Sequence, residues 1–247
     1  MNVLREEDIL TGGSMSLEEA TDRVASLMSR YGNLQGAALI EPMVHEEFNG
    51  KITMTSSFGT EAAALLALVA EVDANLPIIF LDTRKLFGET HTYREKLVDQ
   101  LGLTNIKIMR PDENKLKADD PDGMLFASDV AKCCYLRKVE PLQRALTGYD
   151  AWLTGRKRFH GGERDALPAI ETAGTRIKIN PLAGYKPEDI DDIFEHRALP
   201  RHPLQAEGFL SIGCMPCTDR VDPGTTDVRA GRWAGQDKTE CGIHYII

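Results

Sequence analysis

The spacing of apolar residues changes period several times along the chain, and each change marks an element. Leu17, Ala20, Val24, Leu27 and Met28 recur at the three- and four-residue intervals of one helix face, behind Ser16-Leu-Glu-Glu19, which has the form of a capping box. Gly32 ends that helix. A second helical stretch covers 34–48 and is interrupted by Pro42. The period then shortens to two: Ile52-Thr-Met-Thr-Ser56 alternates and is β-branched, the mark of a strand. A turn over 57–60 leads into an apolar helix over 61–72. Pro77 precedes a short apolar strand over 78–81, followed by a helix over 88–103 and a third strand over 106–109. The polar stretch 111–123 reads as a solvated loop, and 127–146 as a helix broken at Pro141. Fourth and fifth strands are expected over 151–154 and 176–180, and a short helix over 187–196 with Pro187 at its start. From 198 onward, Pro, Gly and isolated charges predict mostly irregular chain.

Strands alternating with helices in the order β-α-β-α-β predict an α/β fold built on a doubly wound, mostly parallel sheet. Ligands of such sheets sit at the C-terminal ends of the strands. The chain divides into an N-terminal helical segment (1–50), the α/β domain (51–218) and a C-terminal tail (219–247). With 247 residues, 42% hydrophobic and 27% charged, it can bury one sizeable core. The longest apolar run, 62–70, is too short to cross a bilayer, and the acidic N-terminus lacks the apolar stretch of a secretory signal. A cytoplasmic protein without membrane contact is expected. The net charge of −9 argues against a nucleic-acid binder but leaves room for a local cationic pocket that takes a small anion.

Cysteine placement adds the first specific chemistry. Four of the five cysteines form two distant pairs, Cys133-Cys134 and Cys214-Met-Pro-Cys217, and Cys241 stands apart in Glu-Cys-Gly-Ile-His244. A disulfide between neighbours 133 and 134 is geometrically poor, because adjacent Cα atoms lie about 3.8 Å apart. Four soft thiols suit zinc or an iron–sulfur centre. A vicinal pair fits a cluster with several iron corners better than it fits a zinc knuckle, and buried unliganded thiols are the plain alternative. An odd cysteine count with a metal-type spacing also points to a reducing compartment.

Three further stretches stand out. Ser56-Ser-Phe-Gly-Thr-Glu61 joins a strand to a helix, where backbone N–H groups and the helix N-terminus can hold an anion. It is neither a P-loop nor a dinucleotide fingerprint, and an ordinary helix cap explains it equally well. Arg156-Lys-Arg158, with Arg164 beside Glu163, makes a basic loop after the fourth strand. In the tail, Arg229, Arg232, Trp233, Cys241 and His244 supply the parts of a lid with a thiol whose ionisation neighbouring cations would favour. His202 and the other histidines show no metal-ligand spacing and read as structural or exposed.

Taken together, Ser56-Ser-Phe-Gly59, Leu81-Asp-Thr-Arg-Lys-Leu-Phe-Gly-Glu-Thr90, Lys132-Cys-Cys-Tyr-Leu-Arg-Lys138, Trp152-Leu-Thr-Gly155, Ser211-Ile-Gly-Cys-Met-Pro-Cys-Thr218 and Glu240-Cys-Gly-Ile-His244 form a pattern. Over about residues 52–244 the chain resembles the assimilatory adenylylsulfate (APS) reductases. These are the iron–sulfur branch of the APS/PAPS reductase family, related to the PP-loop nucleotide hydrolases. The resemblance implies a 4Fe–4S cluster on Cys133, Cys134, Cys214 and Cys217. It implies a nucleotide pocket at Ser56, Ser57 and Gly59, and phosphosulfate contacts from Lys138, Arg164, Arg229, Arg232 and His244. Cys241, on a mobile tail, is the implied nucleophile. The implied reaction reduces APS to sulfite and AMP through an S-sulfocysteine, with thioredoxin as reductant, in sulfate assimilation for cysteine biosynthesis. A preference for PAPS stays open, and a homo-oligomer is implied. The rival readings are a tRNA-thiolating PP-loop enzyme, disfavoured by the acidic charge, and a non-catalytic cluster- or zinc-based redox sensor.

Overall fold

The computed structural model describes residues 13–233, 238 and 242–244. Helix α1 (Leu17–Tyr31) opens on the capping box expected of it: Ser16 N–H donates to Glu19 Oε2 at 2.7 Å, and Glu19 N–H donates to Ser16 Oγ at 3.2 Å. Helix α2 (Gly36–Pro42) is not stopped by Pro42. The chain winds on through a wide π-type turn, Met43–Glu47, closed by Phe48 N–H on the Met43 carbonyl. Both segments join the hydrophobic core of the sheet through Leu27, Leu39 and Ile40, all fully buried.

The sheet has six strands: β1 (Ile52–Ser56), β2 (Ile78–Leu81), β3 (Ile106–Met109), β4 (Ala151–Leu153), β5 (Ile170–Ala173) and β6 (Arg176–Ile179). Their order is β3-β2-β1-β4-β6-β5, and every neighbouring pair is parallel except β5 with β6. The doubly wound, mostly parallel α/β fold is therefore borne out. β2 and β3 extend the sheet to one side of β1, and the chain then returns to place β4 on the other. That reversal creates a crevice at the C-terminal ends of β1 and β4, where such sheets bind ligands.

Helix α3 (Ala62–Asp73) explains its uniformly apolar sequence, since Ala63 through Val69 are all buried. Phe58 and Phe80 meet edge to face in the same core, with ring centroids 5.4 Å apart. Helix α4 (Gly88–Leu101) ends at Gly102 in the left-handed region (φ 63°), where Leu103 N–H returns to the Val98 carbonyl.

Three expectations need correction. The polar stretch after β3 holds a helix, α5 (Glu113–Asp119), started by Asp112, whose carboxylate accepts from the N–H groups of Asn114 and Lys115. It buries no residue, so it left no apolar period in the sequence. The helix expected over 127–146 is in pieces: α6 (Leu125–Ser128), α7 (Val130–Cys134), a second wide turn at Tyr135–Val139, and α8 (Glu140–Ala145). Pro141 starts the last piece rather than breaking a long helix. Strand β5 was not foreseen. It pairs with β6 across the two-residue turn Gly174-Thr175, with Gly174 at φ 60°, and forms the antiparallel edge. Helix α9 (Pro187–His196) follows the expected bounds, and the chain beyond it is largely irregular.

Candidate active site

The crevice between β1 and β4 holds a cavity of about 220 Å³. Its floor is made by the turn after β1. Phe58 adopts a left-handed backbone (φ 49°), unusual for an aromatic residue, and buries its ring completely. This inversion leaves Ser56, Ser57, Gly59 and Thr60 lining the cavity while Phe58 anchors the turn from behind. Ser56 Oγ accepts from Phe58 N–H at 3.2 Å and Ser57 Oγ from Gly59 N–H at 3.3 Å, so the serines brace the turn they belong to. Across the floor, Thr154 donates to Asn180 Oδ1, which fixes the end of β4.

The walls are cationic. Lys138, Arg156, Lys157, Arg164, Arg229 and Arg232 all line the cavity, against one carboxylate among the described residues, that of Glu61. In a chain of net charge −9, this is a local positive field in a concave, partly desolvated space, a setting that favours a small polyanion. Arg229 and Arg232 are ordered by Trp233, whose buried ring lies 5.5 and 4.6 Å from the two guanidinium carbons. Arg232 Nε also donates to the Cys217 carbonyl, and the Trp233 backbone N–H donates to the same oxygen. The close approach of Arg232 requires glycine at 213, because a Cβ there would lie 2.3 Å from Arg232 Nη2.

A buried polar chain supports one wall. Glu61 Oε2 accepts from Lys157 Nζ at 2.7 Å and contacts His160 Nε2 at 2.9 Å, while Arg164 Nη1 lies 2.9 Å from His160 Nδ1. Burial acts to raise the Glu61 carboxyl, but the Lys157 charge and the His160 contact outweigh it and hold it at about 2. Burial pushes the Lys157 ammonium and the His160 imidazole down, with Glu61 opposing in both cases. Histidine 160 is thus a lining residue, not an exposed bystander. Glu61, Lys157 and His160 were not in the expected site, since they are brought together across 96 and 99 positions.

Adjoining this cavity is a second, much smaller void of about 10 Å³, lined by Cys133, Cys134, Cys214 and Cys217, and Lys138 borders both spaces. All four cysteines are buried, and none of them is in a disulfide. Burial pushes the Cys133 thiol up against the nearby Arg137 guanidinium, and Cys214 and Cys217 add to the rise. Arg137 Nη1 lies 3.8 Å from Cys133 Sγ and its Nη2 2.5 Å from buried Asp120, while Thr83 Oγ1 lies 3.2 Å from Cys214 Sγ. Among the described residues, no group of three or more His, Cys, Asp or Glu is arranged to hold a single metal ion. Four buried thiols round one void, with a cation and a hydroxyl directed at sulfur, are nonetheless a donor set suited to a multi-metal centre.

Of the residues expected in the site, Ser56, Ser57, Gly59, Lys138, Arg164, Arg229 and Arg232 share one cavity. The four paired cysteines share the void beside it. Cys241 lies outside the described residues, as does the side chain of His244. The turn Gly242–His244 that carries its backbone brings Ile243 to the cavity wall and Gly242 against Val139.

Residues 51–220 match the phosphoadenosine phosphosulfate reductase domain family. The chain is 50% identical to the adenosine 5′-phosphosulfate reductase of Mesorhizobium japonicum, over 90% of this chain and 87% of that protein. It is 35% identical to the enzyme of the same name from Mycolicibacterium smegmatis, over 96% and 98%. Among solved structures it is similar to the phosphoadenylyl-sulfate reductase of Candida auris, a phosphate complex, at 26% identity. The TM-score is 0.67, with 83% of this chain and 98% of that one covered.

Proposed function

The chain belongs to the adenosine 5′-phosphosulfate reductase family, and on that premise we propose that it reduces APS through a thiol of its C-terminal segment, Cys241. The observation that carries this reading is the meeting of seven expected ligand-binding residues in one cationic cavity at the switch point of the sheet.

In this scheme the Cys241 thiolate attacks the sulfur of the phosphosulfate. A sulfur–sulfur bond forms, the sulfur–oxygen bond breaks, and AMP leaves with the electron pair. A thiolate of a dithiol reductant of the thioredoxin type then attacks Cys241 Sγ. Sulfite departs with the electrons of the sulfur–sulfur bond, and the second thiol resolves the mixed disulfide. The sulfur gains two electrons and the dithiol loses two. Because an anionic thiolate must approach an anionic substrate, the reaction needs cations placed in advance. Lys138, Arg164, Arg229 and Arg232 supply them, the arginines through planar forks that match sulfate and phosphate oxygens. Ser56, Ser57 and Gly59 line the part of the cavity that receives the nucleotide, and His244, three residues after Cys241 in the sequence, would add a contact to the phosphosulfate.

Cys133, Cys134, Cys214 and Cys217 would hold a 4Fe–4S cluster. These cysteines would thereby link the helical turn bearing Lys138 to the loop whose Cys217 carbonyl holds Arg232, and the bound group would supply a local electric field between them. A cytoplasmic setting fits four reduced thiols, and among the described residues no helix is long and apolar enough to cross a membrane.

The test is anaerobic purification, iron and sulfide analysis, and sulfite release from APS with thioredoxin. Iron and acid-labile sulfide near four each per chain are expected, about the content of one cluster. Cys241→Ser should bind APS and keep the iron while releasing no sulfite; turnover in that variant refutes the assignment.

A further inference from the structure

We propose that His160 is the positioning residue for Arg164: as a neutral ring it takes the guanidinium on Nδ1 and is itself held through Nε2–H by Glu61. The inference rests on the reading of Arg164 as a phosphosulfate ligand and deepens it.

The proton placement follows from donor and acceptor chemistry. Arginine has only donors, so at 2.9 Å from Arg164 Nη1 the His160 Nδ1 must accept. The proton of the neutral ring then sits on Nε2 and donates to Glu61 Oε2, 2.9 Å away. Glu61 is itself fixed by Lys157, buried at the start of the same loop, and His160 is packed edge to face on Phe159 with centroids 4.6 Å apart. The result is a line of contacts from the N-terminal end of α3, through an imidazole, to a buried cation that borders the cavity. The loop that carries Arg164 has almost no regular structure, only two short 3₁₀ turns; Gly161 between them and Gly162 at the start of the second lie at φ 68° and 63°. Such a backbone does not fix a long side chain by itself, and the imidazole supplies a contact that aims it.

A second proton on the ring would put Nδ1–H against the N–H groups of Arg164, donor against donor. Among the described residues the charged groups facing His160 are Glu61, the N-cap of α3, and Lys157 and Arg164 from its own loop. Burial, helped by the two cations, pushes the ring below its ordinary range, with Glu61 opposing. The clamp therefore holds at neutral pH and opens in acid.

The test compares wild type, Arg164→Ala, His160→Ala and His160→Gln as holoenzymes, with kcat and KM for APS measured from pH 5 to 8.5. A glutamine amide offers an oxygen to Arg164 and an N–H to Glu61, so it mimics the neutral ring without titrating. Arg164→Ala should lower kcat/KM by roughly 10- to 100-fold, as expected for a lost charge-assisted contact. His160→Ala should fall by roughly 10-fold, mainly through KM, as the guanidinium loses its aim. His160→Gln should recover to within about 3-fold of wild type at pH 8 and lack the acid rise in KM that wild type shows. If Arg164→Ala leaves KM unchanged, the ligand role of Arg164 fails and the clamp with it. If Arg164→Ala is impaired while His160→Ala is not, the clamp alone is overturned. Should His160→Ala not fold, identical acid limbs in wild type and His160→Gln overturn the proposal just as decisively.

Discussion

His202 locks an irregular segment onto the fold, and acid should unlock it. The residue is 1% exposed. Its Nδ1 accepts from Leu204 N–H at 3.3 Å, so the neutral ring carries its proton on Nε2, 3.2 Å from Thr90 Oγ1 on α4. Tyr93, one turn further along that helix, stacks edge to face on the ring at 4.9 Å and donates to the Pro200 carbonyl at 2.7 Å. No charged form fits this site, and burial pushes His202 down to about 4, with Glu89 weakly opposing. The unfolded chain takes up its proton near 6.5 and the native chain only near 4. Between those values the unfolded state binds more protons, so stability is complete above pH 6.5 and falls as pH drops toward 4. The difference amounts to about 3 kcal/mol, or about 6–12 °C in Tm for a chain of this size. The assay is anaerobic thermal melting by circular dichroism from pH 7.5 to 4.5, comparing wild type with His202→Asn. Asparagine keeps an acceptor for Leu204 N–H but cannot titrate and loses Thr90, so it should melt lower at pH 7.5 by about 1–2 kcal/mol. Its loss on acidification should be smaller than that of wild type by most of the His202 contribution. The remaining carboxylates and histidines cancel in the comparison. Parallel curves for the two proteins would show that His202 does not carry the acid sensitivity.

Three other outcomes follow from the same geometry. Asp120→Ala strands the buried Arg137 charge beside Cys133 and should cost about 3–5 kcal/mol; Asp120→Ala with Arg137→Met should recover much of it in melting experiments. Gly213→Ala drives a methyl group into the Arg232 guanidinium, a flexible chain end, so kcat/KM for APS should fall by at least about 10-fold. Its Tm should stay within a few degrees of wild type, since the methyl displaces a side chain and not the core. Lys178 is buried over Trp152, and burial, then Arg156, pushes it down to about 7. Lys178→Met should stabilise by about 1–3 kcal/mol at pH 7, and the gain should shrink toward pH 10, because the unfolded lysine binds its proton over that window and the native one does not.

The sheet was legible because its signals are local. Ile52-Thr-Met-Thr-Ser56 and Ile78-Ile-Phe-Leu81 announce central strands by composition, and the Ser16 capping box announces a helix start. Helix α5 was not, because all its side chains are solvated and its one strong signal, Asp112, also suits a turn. Strand β5 was missed because Ile-Glu-Thr-Ala is short and half polar, and its pairing depends on a glycine turn whose handedness only the fold reveals. In the site, the cysteine pairs and the arginines of the tail were readable from spacing and from the family pattern. Glu61 and Lys157 lie in stretches that stand out in the sequence, but their pairing with each other and with His160 was not readable until the sheet folds β1 beside β4. What escaped was partnership between residues far apart in the chain.

The wide turn at Tyr135–Val139 bears on how this chain can change. Glu140 N–H reaches back five residues to the Tyr135 carbonyl, so this winding carries one residue more than an α-helix needs. Upstream of it Cys133 and Cys134 turn toward Cys214 and Cys217; downstream Leu142 is buried against the sheet. Removing one residue between them would yield a smoother helix and rotate the two halves by about 100° relative to each other. Loops elsewhere on the surface can gain or lose residues, but the distance from Cys134 to Leu142 is a phase setting. An insertion or deletion there shifts the cysteine pair out of step with the core, however well the new helix forms.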